Sequence, residues 1–78
     1  MGTRTQNERR FAHWQDLPDG GRRYWLDVVG HRGWTARYLK VVDREERTVV
    51  FRQEIRDATG QLVEVHEKYP VDRGHRKA

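Results

Sequence analysis

Four stretches of this chain alternate with a period of two residues, and that alternation constrains the fold more than any other feature. In RRYWLDVVG (22–30), Tyr24, Leu26 and Val28 alternate with Trp25, Asp27 and Val29. In GWTARYLKVVD (33–43), Trp34, Ala36 and Tyr38 alternate with Thr35, Arg37 and Leu39. RTVVFRQEIRD (47–57) sets Val49, Phe51 and Ile55 against Val50, Arg52, Glu54 and Arg56. QLVEVHEKY (61–69) sets Val63, Val65 and Tyr69 against Glu64, His66 and Lys68. Rich in β-branched and aromatic residues, these runs predict strands. The connections GHRG, DREE and DATG leave no room for crossover helices and join neighbouring antiparallel strands. The expected architecture is mainly β: a four-stranded antiparallel meander, twisted or partly closed into a barrel.

Residues 1–8 are polar and read as an unstructured leader, with a single small β domain over residues 9–78. Phe11, Trp14 and Leu17 recur at spacings of three, which predicts a short helical turn stopped by LPDGG. DATG matches a type I turn with Gly60 in the left-handed position of a bulge. That register would pair Ile55 with Val63 and Arg52 with His66, and would set Glu54 opposite Glu64. It collects Tyr24, Leu26, Trp34, Phe51, Ile55, Val63 and Val65 on one buried face. This face needs a lid, supplied by Phe11, Trp14 and Leu17 or by a second subunit in a homodimer.

The core must be small, because the 78 residues are 35% hydrophobic and 36% charged. No cysteine is present, so neither a disulfide nor a thiolate zinc site can support it. Three Trp, three Tyr and two Phe supply large buried areas instead. No run approaches a membrane span and no apolar leader opens the chain, so the expected location is cytoplasmic and no membrane partner is expected. The net charge of +4 sits at the two ends: residues 1–10 and 69–78 each carry an excess of two positive charges, while residues 11–68 are balanced. A uniformly basic nucleic-acid module would be charged throughout.

The ending EVHEKYPVDRGHRKA (64–78) holds the candidate chemistry. His66 and Lys68 share one side of the last strand. Pro70 then forbids a ladder bond, and Gly74 allows a sharp turn that could bring His75 and Arg76 back to the sheet. Two histidines among cations are what metal-independent RNA cleavage uses. In that reading His66 and His75 transfer protons, Lys68 and Arg76 hold phosphate, and Tyr69 stacks or orients. The plain alternative is a solvated terminus. His66, Asp72 and His75 do not have a recognised metal-ligand spacing, and nearby cations would repel a metal, so neither a metal nor another cofactor is expected.

Arg37, Arg52 and Arg56, with His66, Lys68 and Arg76, form a second candidate: a phosphate-facing surface on which Trp25 could stack a base. Asp27, Glu54 and Glu64 interleave with these cations, as on an ordinary solvated face. A different class of function also fits, a non-catalytic protein-binding module (an inhibitor, accessory subunit or phage-encoded adaptor) that uses an exposed strand edge.

The stretch from LPDGGRRYW through GWTARYLKVVD to FRQEIRDATGQLVEVHEKYPVDRGH, about residues 17–75, resembles a group of small uncharacterised prokaryotic proteins and implies no activity. GQLVEVHEKYPVDRGHRK is similar to the ending of TumE-type toxins of toxin–antitoxin pairs, where a curved sheet ends in a strand followed by tyrosine, aspartate, glycine and paired histidines. Tyr69, Asp72, Gly74 and His75 match that ending. Pro70 interrupts it, and Lys77 stands where the pattern has its second histidine. The resemblance implies a toxin-type ribonuclease with RNA as substrate and a cognate antitoxin as partner.

Overall fold

The computed structural model describes residues 3–72 and 74–77. Arg73, counted among the basic residues of the ending, lies outside the described residues. After a short helix, α1 (Arg4–Arg10), the chain forms strands β1 (His13–Asp16), β2 (Arg22–Val29), β3 (Thr35–Val42), β4 (Thr48–Arg56), β5 (Leu62–Tyr69) and β6 (Gly74–Lys77). They make one six-stranded sheet in chain order, every neighbour antiparallel. The four expected runs are β2 to β5. The meander is longer than expected by one strand at each end.

The N-terminal segment departs from expectation twice. The helix lies in the segment expected to be unstructured, because Thr3 and Gln6 form a capping box: Thr3 Oγ1 accepts from the Gln6 amide at 3.2 Å, and Gln6 Oε1 accepts from the Thr3 amide at 2.9 Å. The segment after Phe11, expected to be helical, is extended and pairs with β2, Trp14 opposite Tyr24. LPDGG ends no helix; it is a hairpin turn.

Three of the hairpin turns share one geometry. In LPDGG, DREER and DATGQ the first amide donates to the fifth carbonyl, at 2.9, 2.9 and 3.0 Å. The fourth amide donates back to the first carbonyl, at 3.1, 2.9 and 2.9 Å. The fourth residue has positive φ in each: Gly20 at 88°, Glu46 at 66° and Gly60 at 86°. Asp43 and Asp57 open the second and third turns and accept amide hydrogen bonds through Oδ1. The expected conformation of Gly60 is therefore observed. A side chain at Gly60 would meet nothing within 4 Å, so only its backbone conformation is at stake. Gly60→Val should therefore lower the melting temperature more than Gly60→Asn, by roughly 1 kcal/mol of stability. Equal midpoints in thermal melts would contradict the left-handed assignment.

The register beyond that turn differs from expectation. β4 and β5 start as predicted, with Arg56 opposite Leu62, but a shift between Ile55 and Arg56 then moves the pairing by one residue. Ile55 faces Glu64 instead of Val63, Glu54 faces Val65 instead of Glu64, and Arg52 faces Glu67 instead of His66. One extra residue reverses the faces of a strand. Val65 consequently joins the charged face, and His66 joins the face of Tyr24, Leu26, Phe51 and Ile55.

That face is only partly covered. Phe11 (1% exposed), Tyr24 (0%) and Val42 (1%) form the core beneath α1, with Leu26, Tyr38 and Phe51 packed around them. Of the seven residues expected to be buried together, only Tyr24 is; Trp34 precedes β3 and is 43% exposed. The lid is Phe11 and the helix, while Trp14 is an exposed residue of β1.

Polar contacts fasten the helix. Arg22, buried on β2, gives Nε to Asp16 at 2.6 Å and Nη1 to Glu8 at 2.8 Å, and these partners keep its guanidinium charged above its ordinary range. Glu46 accepts from the Tyr24 hydroxyl, from Asn7 Nδ2 at 3.0 Å and from Arg4 Nε at 3.3 Å. Lys40 donates to Asn7 Oδ1 at 2.9 Å; burial, together with Arg10 nearby, lowers the affinity of its amine for a proton.

Candidate active site

The turn after β5 returns the chain to the sheet, as the Pro70 and Gly74 positions suggested. Asp72 Oδ1 accepts from the Gly74 amide at 2.9 Å, and Gly74 takes φ of 65°. β6 then pairs with β5, setting His75 directly opposite His66 and Lys77 opposite Glu64. Directly paired residues point to the same face. The imidazoles meet with ring centroids 4.4 Å apart and planes inclined at 50°.

Each ring has a carboxylate partner. His66 Nε2 lies 2.8 Å from Asp72 Oδ1, and His75 Nδ1 is bonded to Glu64 Oε1. Each carboxylate thus engages one ring nitrogen; among the described residues the other, Nδ1 of His66 and Nε2 of His75, has no hydrogen bond. The hydrogen bond from the Gly74 amide, and then that from His66, hold the Asp72 carboxyl below the usual carboxylate range, so it is ionised at neutral pH. The His66 side chain is 17% exposed and that of His75 49%, which leaves the pair open to solvent on one side. Lys68 lies over the rings of Tyr38 and Phe51, its Nζ 5.4 and 5.5 Å from their centroids, on the histidines' face.

Other expected members are placed elsewhere. Tyr69 is opposite Phe51 and exposed; among the described residues no ring contact or hydrogen bond joins it to either imidazole. Arg76 is opposite Val65, on the other face of the sheet. Among the described residues no group of three His, Asp or Glu side chains is arranged to hold a metal ion. The carboxylate partners were the less visible part of the site. Glu64 shows itself only as the residue two before His66 on a strand, and Asp72 only as a residue flanking a glycine turn.

The expected cationic face is divided by the register shift. Arg37, Arg52 and Arg56 share the face opposite the histidines with Trp25, whereas His66 and Lys68 do not. Arg37 makes a two-pronged contact with Asp27 at 2.7 and 2.9 Å, which fixes the guanidinium and holds the Asp27 carboxyl below its ordinary range. Arg52 and Arg56 both bond Glu54, at 2.9 and 3.4 Å.

Comparison of the chain with protein-family models, with curated proteins and with solved structures finds no match in any of the three. No helix among the described residues is long and apolar enough to cross a membrane.

Proposed function

We propose that the protein cleaves RNA without a metal ion, with His66 and His75 as the proton-transfer pair. The approach of the two rings to 4.4 Å, from paired strand positions and each backed by a carboxylate, is the observation that supports this reading. One imidazole, neutral at its free nitrogen, takes the proton of a ribose 2′-hydroxyl as that oxygen attacks phosphorus. The other, protonated, gives its proton to the departing 5′-oxygen, and a 2′,3′-cyclic phosphate remains. Lys68 and Lys77, both on the histidines' face, can balance the charge gathering on the phosphate oxygens. Such an activity would harm the cell that makes it, so the reading includes a neutralising protein partner, as in toxin–antitoxin pairs.

The test uses a labelled decauridine in the presence of a chelator, beside the same oligomer with every 2′-hydroxyl methylated. The RNA should be cut to fragments ending in cyclic phosphate and the methylated strand should stay whole. His66→Ala and His75→Ala should each slow cleavage at least about 100-fold with the thermal midpoint unchanged. Intact RNA, or variants that cut at the wild-type rate, would remove the proposal. The open edges of the sheet favour a second reading: β1 is exposed at all four residues, and a partner strand could pair with it. Ionic strength separates the two, since RNA binding weakens steeply with added salt and strand pairing does not.

A further inference from the structure

On the face away from the histidines, a shallow recess of about 150 Å³ is lined by Arg23, Trp25, Arg37, Leu39, Arg52 and Glu54. Cross-strand pairing builds it, because Trp25, Leu39 and Arg52 stand opposite one another in a row across β2, β3 and β4. Its size admits one flat ring, well short of the roughly 300 Å³ that a whole small-molecule ligand needs. We infer that the recess binds one base of a single-stranded RNA, with the adjoining phosphate on Arg23 and Arg52. The inference takes its ligand class from the proposed function and is independent of cleavage.

The lining gives each part of a nucleotide a partner. Trp25 supplies an aromatic surface, with His13 stacked at 5.6 Å and the guanidiniums of Arg23 and Arg37 at 5.7 and 5.8 Å from its ring. These cations already lie over the ring, so a base stacks on the part of the indole that they leave uncovered and meets their donors at its edge. Arg37 is immobilised by its two bonds to Asp27 and serves as a wall. Arg23 is bonded at 2.7 Å to Gln15, a neutral partner, so its positive charge stays available. Arg52 commits Nη2 to Glu54, while its covered Nε has no hydrogen-bond partner, which leaves the guanidinium with donor capacity unused. Glu54 adds an acceptor of the kind that amino and ring N–H groups of bases need. Leu39, 9% exposed, is the apolar floor.

A fluorescein-labelled 2′-O-methyl decauridine tests the site by fluorescence anisotropy, because that strand has no 2′-hydroxyl to react. Trp25→Ala should weaken its binding about tenfold or more. Arg52→Gln should also weaken it and should reduce the slope of log affinity against log salt by about one. Arg44→Gln, which removes the same charge from a distant turn, should change neither. Absence of binding by the wild-type protein, or wild-type affinity in both the Trp25 and Arg52 variants, would overturn the inference. So would capture of an oligoglutamate peptide in place of the oligonucleotide, with the same dependence on Arg52, since it would assign the face to an acidic protein segment. Because the probe cannot be cleaved, a failure of catalysis at the histidine pair leaves this result standing.

Discussion

Phe11→Ala should leave the domain unfolded or nearly so at room temperature. Phe11 is 1% exposed, its ring centroid lies 5.6 Å from that of Tyr24, and it links the helix to the sheet. Truncating a buried phenylalanine costs about 3–5 kcal/mol, from lost transfer energy and from the cavity left behind. A domain this small draws only about 3–5 kcal/mol from its whole core, so the loss is comparable with the total. Phe51→Ala provides the comparison, since Phe51 packs against the core while remaining partly exposed, and its truncation should be milder. Thermal melts followed by circular dichroism rank the two. A Phe11 variant that melts cooperatively near the wild-type midpoint would mean that the helix does not cover the sheet in solution.

Glu46 should be the most costly surface-turn residue to replace, for two opposing reasons that separate experiments can isolate. Its backbone lies in the left-handed region at φ 66°, where a non-glycine residue costs roughly 1 kcal/mol. Its carboxylate accepts hydrogen bonds from Tyr24, Asn7 and Arg4, and removing it leaves the buried Tyr24 hydroxyl without that acceptor, at about 1–3 kcal/mol. Glu46→Ala should therefore destabilise strongly. Glu46→Gly, which gives up the same bonds but relaxes the turn, should be about 1 kcal/mol less harmful. An alanine variant as stable as the glycine variant would show that the turn is unstrained.

The pH dependence follows from the same carboxyl. Burial pushes its affinity for protons up, but the hydrogen bonds from Tyr24, Asn7 and Arg4 together outweigh that, and it titrates below the ordinary glutamate value. A group with a depressed folded pKa stabilises the fold above its unfolded value, near 4.3, and loses that contribution as pH falls. The midpoint difference between the wild type and Glu46→Gln should accordingly be largest near neutrality and close below about pH 4. A difference independent of pH would rule out an ionised Glu46 as the latch. On the alkaline side, burial and then the Glu46 carboxylate raise the pKa of Tyr24. Its neutral form is therefore favoured in the fold, and stability should fall as pH rises beyond about 10.

The strands β2 to β5 were legible because period two is a property of each strand alone, and Gly60 was legible because its turn demands a left-handed residue. The faces of β5 were not. Ile55 and Val63 look like partners until the irregularity next to Arg56 displaces the register, and a bulge of that kind leaves no mark in the pattern of apolar residues. The helix was hidden for a different reason: it is held by Asn7, Glu8 and Arg4, polar residues without an apolar stripe, so hydrophobic spacing directed attention to Phe11, Trp14 and Leu17. The turn at DREE was legible but its left-handed residue was not, because Glu46 occupies the place that glycine holds in the other two. The meeting of His66 and His75 was anticipated from Pro70 and Gly74, whereas the placing of Arg76 on the opposite face depended on a strand too short to show any periodicity.

The position of β6 at the end of the sheet has a consequence for timing. Four residues on one flank attach it, and the Phe11–Tyr24–Val42 core contributes nothing to its pairing. Detachment of this strand is thus a local opening of low cost, and its backbone amides should exchange with solvent deuterium faster than those of β2 and β3. An opening of this kind would carry His75 away from His66, and closure would restore the pair. A ligand that bridges the two imidazoles would hold the strand down, and amide protection in β6 would then report occupancy directly.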